Sequence, residues 1–180
     1  MYPNPQDVLP LPPRPDLEQY RRRAKDLVKA HKSHDSGALR AWATQWVETL
    51  ARLHDWQENR RAIDRYAEQV ERFARDTLSR GARLSSAQFV IARAHGFESW
   101  PSFAKHLEAL AAASSAIASY EAAADAIVEG DAERLTALLR QTPDLIRTRS
   151  TREHGATLLH YVSANGVENR SVFVIGLGDA

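Results

Sequence analysis

Gly155-Ala156-Thr157-Leu158-Leu159-His160-Tyr161-Val162-Ser163-Ala164-Asn165-Gly166 holds a turn, a helix start, an apolar face and a helix stop within twelve residues. Thr157 is a residue type whose hydroxyl takes a free backbone N–H at a helix start. Leu158, Leu159 and Val162 recur at helical spacing and are expected on one face. Gly166, after Asn165, suits the left-handed residue that closes a helix. His160 has no second His, Cys or carboxylate at ligand spacing beside it, so neither a metal nor a catalytic role is expected of it.

The residues upstream supply a matching unit. Tyr120, Ala123, Ala124, Ile127 and Val128 predict a helix that ends at Glu129-Gly130-Asp131. Leu135, Leu138 and Leu139 predict a second helix that ends before Pro143-Asp-Leu-Ile146. Gly130 and Gly166 are 36 residues apart, near the ~33-residue period of one class of helical repeat. Together these features resemble ankyrin repeats, with Thr157-Leu158-Leu159-His160 in place of Thr-Pro-Leu-His and Leu158 where the proline stands. The resemblance implies a helical solenoid that binds protein, and a histidine that hydrogen-bonds between neighbouring repeats. It further implies contact through the finger loop and inner helix face, which here means Leu145, Arg147, Arg149, Arg152, Glu153 and His154, together with Tyr161.

Beyond Gly166 the pattern departs. A second helix with paired leucines is expected, yet the chain continues Val167-Glu-Asn-Arg-Ser-Val-Phe-Val-Ile-Gly-Leu-Gly-Asp-Ala180. Val172 to Ile175 is β-branched and aromatic, which favours a strand over a surface helix. The second repeat is therefore truncated or diverted, leaving an irregular or strand-like tail. Roughly three repeats are usually needed for a stable stack, so the outer face of Leu159 and Val162 lacks cover. Either the segment 172–177 folds over it, or the N-terminal helices cap the stack, or the open end is a site of self-association.

The remaining chain reads as helices behind a stiff leader. Residues 1–15 hold six of the eight prolines, which excludes helix and central strand and predicts an extended segment whose Leu9 and Leu11 can dock. Pro15-Asp16 opens a helix carrying Leu17, Tyr20, Ala24, Leu27 and Val28, with His31, Lys32 and His34 placed to favour its C-terminal dipole. Ala38 to Arg80 lacks glycine and proline. Its two apolar stripes, one through Leu39, Trp42, Trp46, Leu50 and Leu53 and one from Ile63 to Ala74, fall out of step near Asn59-Arg60-Arg61. Two helices with a break at 55–60 are expected, the second capped by Asp55-x-x-Glu58. Trp42, Trp46 and Trp56 are expected in packing rather than ligand stacking.

Ser85-Ser-Ala-Gln88 is a capping-box pattern that opens a helix ending at His95-Gly96. Ser99 then caps a helix with Pro101 in its first turn and Phe103, Leu107 and Leu110 on its apolar face. Residues 87–108 resemble a short helical hairpin found ahead of ankyrin repeats in bacterial proteins. The same hairpin supplies a second hypothesis, a DNA-reading helix-turn-helix. Its second helix offers only Lys105, His106 and Ser102 against Glu98 and Glu108, whereas a recognition helix needs several groups for phosphates and base edges.

Bulk composition narrows the classes. With 43% hydrophobic and 26% charged residues the chain is an ordinary globular one, and no cysteine is present to form disulfides or thiolate sites. Net charge is +1. Residues 1–83 carry 16 Lys and Arg against 12 Asp and Glu, while 116–180 carry 6 against 9, too weak a polarity to indicate nucleic acid by itself. No apolar run reaches the ~18 residues of a membrane span, and no signal-peptide pattern opens the chain; a cytoplasmic location is expected. Gly176-Leu-Gly178 has no following helix, and no nucleophile elbow or His-Glu-x-x-His pair occurs, so no enzyme and no cofactor is expected. The expectation is an all-α protein: a leader at 1–15, a helical region at 16–112 containing the 85–110 hairpin, and ankyrin-like repeats at 116–180. Its decisive requirement is that Leu159 and Val162 pack against the helix pair of residues 117–141.

Overall fold

α1 (Leu17–Lys32) begins where the prolines end: Asp16 takes the Glu18 N–H at 2.9 Å, and Lys29, His31 and Lys32 occupy the last turn, where cations favour the helix dipole. A computed structural model describes residues 8–33, 35–112 and 115–169, with side chains described as far as residue 164. All of its secondary structure is helical, and no strand occurs among the described residues. The chain divides into two compact units, with the boundary between Leu107 and Glu108.

The first unit closes a ring of four helices. α2 (Ala38–Leu53), α3 (Arg60–Ser79) and α4 (Leu84–Ala94) follow α1; each packs on its predecessor, and α4 returns to α1. Ala24, Leu27, Trp46, Val47, Ile63, Ala67, Leu78, Val90 and Ile91 fill the interior. Several alanines among them let the helices approach closely. α5 (Trp100–Ala111) adds Phe103 to an aromatic cluster with Tyr20, His95, Phe97 and Trp100. The leader docks on this unit, as its leucines allow. Leu9 is 1% exposed and its N–H donates to the Ala94 carbonyl at 2.8 Å. Burial of that one leucine contributes on the order of 2 kcal/mol.

Local signals in this unit are used with two changes. The break between α2 and α3 lies at residues 54–59, but Asn59 caps α3 by accepting the Ala62 N–H at 3.1 Å. Asp55 instead adopts φ 56°, which Asp tolerates in a turn and which is incompatible with its capping a helix. α4 starts at Leu84 with Arg83 at its N-cap and no side-chain cap: Ser85, the expected cap residue, already lies within the first turn, and the Ser86 hydroxyl donates to the Gly81 carbonyl at 2.7 Å. Past α4 the expected stop is present: Gly96 sits at φ 81°, the Phe97 N–H bonds back to the Ala92 carbonyl at 2.9 Å, and Phe97 is buried. Ser99 takes the Ser102 N–H at the start of α5.

The second unit holds α6 (Ala116–Glu129), α7 (Ala132–Gln141), a 3-10 turn at Pro143–Ile146 and α8 (Leu158–Asn169). Ser115 caps α6 by taking the Ala118 N–H. Gly130 ends it at φ 75°, with the Asp131 N–H bonded to the Ala126 carbonyl at 2.8 Å; Asp131 then caps α7 through the Arg134 N–H. Both turns thus use the residue types that left-handed C-caps and N-caps require. α6 packs on α7 and on α8, and the 3-10 turn touches all three. Their common core is Tyr120, Ala123, Ala124, Ile127, Leu135, Leu145 and Leu158, edged by Leu138, Leu139, Tyr161 and Val162.

Two expectations for α8 are corrected. The helix does not stop at Gly166 but runs through it to Asn169, since a helical glycine costs only about 1 kcal/mol. Leu159 does not share the packed face: it is 71% exposed, and Leu158 with Tyr161 and Val162 faces the core instead, so the requirement placed on Leu159 and Val162 is met by Val162 alone. The steps from 158 to 161 and 162 keep those residues on one stripe, whereas 159 is rotated ~100° off it. The expected strand at Val172 to Ile175 and the covering segment 172–177 lie outside the described residues.

Candidate interaction surface

Residues 147–157 connect the 3-10 turn to α8 as a loop bonded at its ends to those two elements and in its middle to itself and to α6. The Ser150 N–H donates to the Ala156 carbonyl at 2.8 Å and the Gly155 N–H to the Arg152 carbonyl at 2.9 Å, which closes the loop on its own base. Gly155, at φ 54°, makes the reversal that an L side chain would strain. From α6 the Tyr120 hydroxyl donates to the same Ala156 carbonyl at 2.6 Å. Burial pushes the Tyr120 phenol above its ordinary range, so it remains a donor at any physiological pH.

Beneath the loop lies an ion pair. Arg152 Nη2 donates to Glu121 Oε2 at 2.7 Å, and both side chains are buried. Burial alone would depress the guanidinium, yet the adjacent Glu121 carboxylate outweighs it and holds Arg152 above its usual value. Ser150 contributes its hydroxyl to the Arg152 N–H at 3.2 Å. The His154 ring takes the Ala156 N–H on Nδ1 at 3.0 Å. Burial, then the Arg152 charge, pushes that imidazole down to about 4; it is neutral, with Nδ1 free of a proton. Tyr161 meets the rings of Tyr120 and His154 edge-on at 6.4 and 6.0 Å, and burial raises its phenol. The loop is therefore anchored by charge and hydrogen bonds.

Not all seven residues expected at the surface lie there. Leu145, 2% exposed, belongs to the core, and Arg152, 7% exposed, is the buried anchor of the loop. Neither is available to a partner. A leucine flanked by Asp144 and Ile146 packs inward because the 3-10 turn places it in the core shared with α6 and α7, and an arginine can be interior once a carboxylate meets it. Arg147 and Arg149 do face solvent, the latter donating to the Gly155 carbonyl at 3.0 Å; Glu153, His154 and Tyr161 are half-buried. Ile146 and Thr151 join the exposed set. Sequence reasoning missed Glu121. The available signal was a carboxylate three residues before Ala124 on the closely packed face of an alanine-rich helix.

The arrangement offers little chemistry. Ser150 Oγ accepts a backbone N–H rather than meeting a base, and among the described residues no group of three or more His, Asp or Glu converges as a metal site. No described helix is long and apolar enough to cross a membrane. Over the residues expected to form a hairpin, His106 is buried, and Lys105, Glu98 and Glu108 are exposed. No protein-family model matches the chain, and comparison with curated proteins and with solved structures returned no significant match.

Proposed function

We propose that residues 116–169 act as a non-catalytic, ankyrin-type protein-binding module whose contact surface is the loop carrying Arg147 and Arg149. The supporting observation is the buried Arg152–Glu121 pair under that loop. An ion pair placed there fixes loop shape rather than adding stability, since buried pairs roughly break even against apolar replacements. A loop held in one conformation binds with less loss of entropy. The exposed arginines fit an acidic patch on a protein partner, where guanidinium makes bidentate bonds to carboxylates.

The α8 sequence supports the same reading. His160 Nδ1 accepts the Thr157 N–H at 3.2 Å and the Thr157 hydroxyl proton at 2.8 Å, so the Thr-x-x-His spacing ties the helix start through the imidazole, and the Thr157 hydroxyl is spent on that ring rather than on a backbone N–H. A DNA-binding role for the α4–α5 hairpin has weaker support, because one exposed lysine among carboxylates gives a phosphate backbone little to hold. The test is affinity capture from the source cell with the wild-type chain and an Arg147→Glu/Arg149→Glu variant. A specific protein partner retained by the first and lost by the second supports the proposal. Equal retention by both, or measurable affinity for random duplex DNA with a steep salt slope, overturns it.

A further inference from the structure

Residues 8–12 lie on the first unit with no helix or strand of their own, held as a bound peptide is held. Val8 and Leu9 are buried, and the Leu9 N–H is taken by the Ala94 carbonyl. The Leu9 carbonyl accepts from His95 Nδ1 at 3.0 Å, and the Leu11 carbonyl from His54 Nε2 at 2.8 Å. Both histidines occupy C-cap positions, His54 of α2 and His95 of α4. Both carbonyls they hold belong to a leucine followed by proline, Pro10 and Pro12.

That repetition has a physical basis. A proline withholds its own N–H and confines the residue before it to extended backbone. Leu-Pro-Leu-Pro therefore presents acceptors at alternate residues, with much of its ordering entropy already spent. The receiving side is equally fixed. The His95 ring stacks on Phe103 at 5.3 Å and 6° between planes, and meets Tyr20 and Trp46 edge-on at 5.2 and 5.5 Å. Its orientation is thus set by the helices and not by the leader. Extended proline-rich segments gripped through main-chain carbonyls beside aromatic rings are a recurring mode of peptide recognition.

We propose that the groove marked by His54, Ala94 and His95 is a recognition site for an extended peptide of Leu-Pro-Leu-Pro chemistry, and that residues 8–12 are its resident occupant. A partner segment of the same chemistry exchanges with them. This inference does not depend on the ankyrin reading, since it concerns the first unit alone. The probe is a fluorescein-labelled synthetic peptide copying residues 7–14, titrated into the full chain as wild type and as Leu9→Ser, with a peptide carrying Leu9→Asp as control.

Weakening the occupant raises the fraction of empty groove, so the copied peptide binds Leu9→Ser at least about tenfold more tightly than wild type. The control peptide binds neither. In the wild type, saturating peptide accelerates hydrogen exchange of the Leu9 amide. Equal affinity for both proteins overturns the proposal, as does absence of binding to a Leu9→Ser chain whose circular dichroism and cooperative melting are intact. A Leu9→Ser chain that fails to fold also overturns it, because the leader is then an indispensable part of the core and not an exchangeable ligand.

Discussion

Arg152 and Glu121 illustrate how one pair sets the cost of a single substitution. Arg152→Ala leaves a buried carboxylate with its principal charge partner gone, which costs about 3–5 kcal/mol, whereas replacing both members by apolar residues of similar volume costs little or nothing. Urea denaturation should show the single variant's midpoint well below wild type and that of Glu121→Leu/Arg152→Met largely restored. His154 adds a pH dependence whose sign is fixed by its shift from 6.5 to about 4. Above pH 6.5 the imidazole is neutral folded and unfolded, so the contribution is fully present. As pH falls towards 4 the unfolded chain binds a proton that the folded one refuses, and stability is lost. Discounted for its partial exposure, the loss is on the order of 1–2 kcal/mol. Thermal melts between pH 7 and pH 4 should show this decline, and His154→Gln should flatten it.

At the level of single elements, α8 depends on its first turn. Thr157→Ala removes the hydroxyl that donates to His160 Nδ1 and should cost ~1 kcal/mol, the usual net worth of one hydrogen bond, read as a lower melting midpoint with unchanged helix content. Gly130→Ala forces an L side chain to φ 75° and should cost a similar ~1 kcal/mol. These elements were legible in the chain because their signals are local. Gly130-Asp131, Gly96-Phe97 and Ser99 each act within a few residues of themselves. The corrections arise where distance or register intervenes. The helix at Leu84–Ala94 begins one residue before Ser85, which therefore cannot cap it, and Arg152 is claimed by Glu121, 31 residues earlier. Leu159 was assigned to the packed stripe because leucine is apolar, yet the angular position of Leu158 fits the α6 interface better. No neighbour-based rule shows that Leu11 meets His54, 43 positions away.

Among the described residues the all-helical class followed from helical periodicity, while the surface did not, since exposure is decided by which element lands on which. Exposed Leu159 is the test of self-association. Leu159→Ser should leave stability within about 0.5 kcal/mol of wild type, as surface changes generally do. If α8 is an adhesive end, the wild type should gain mass with concentration in sedimentation velocity while Leu159→Ser stays monomeric. A wild type of constant mass removes self-association through α8 from consideration.

The bond from His95 to the Leu9 carbonyl joins residues 86 positions apart, which places a constraint on biosynthesis. Leu9 leaves the ribosome long before the helix end that receives it exists. At ordinary elongation speeds of ~5–20 residues per second the interval is roughly 4–17 s. During that time the nascent Val-Leu-Pro-Leu stretch lacks the helix end that receives it, and its docking cannot precede the synthesis of α4.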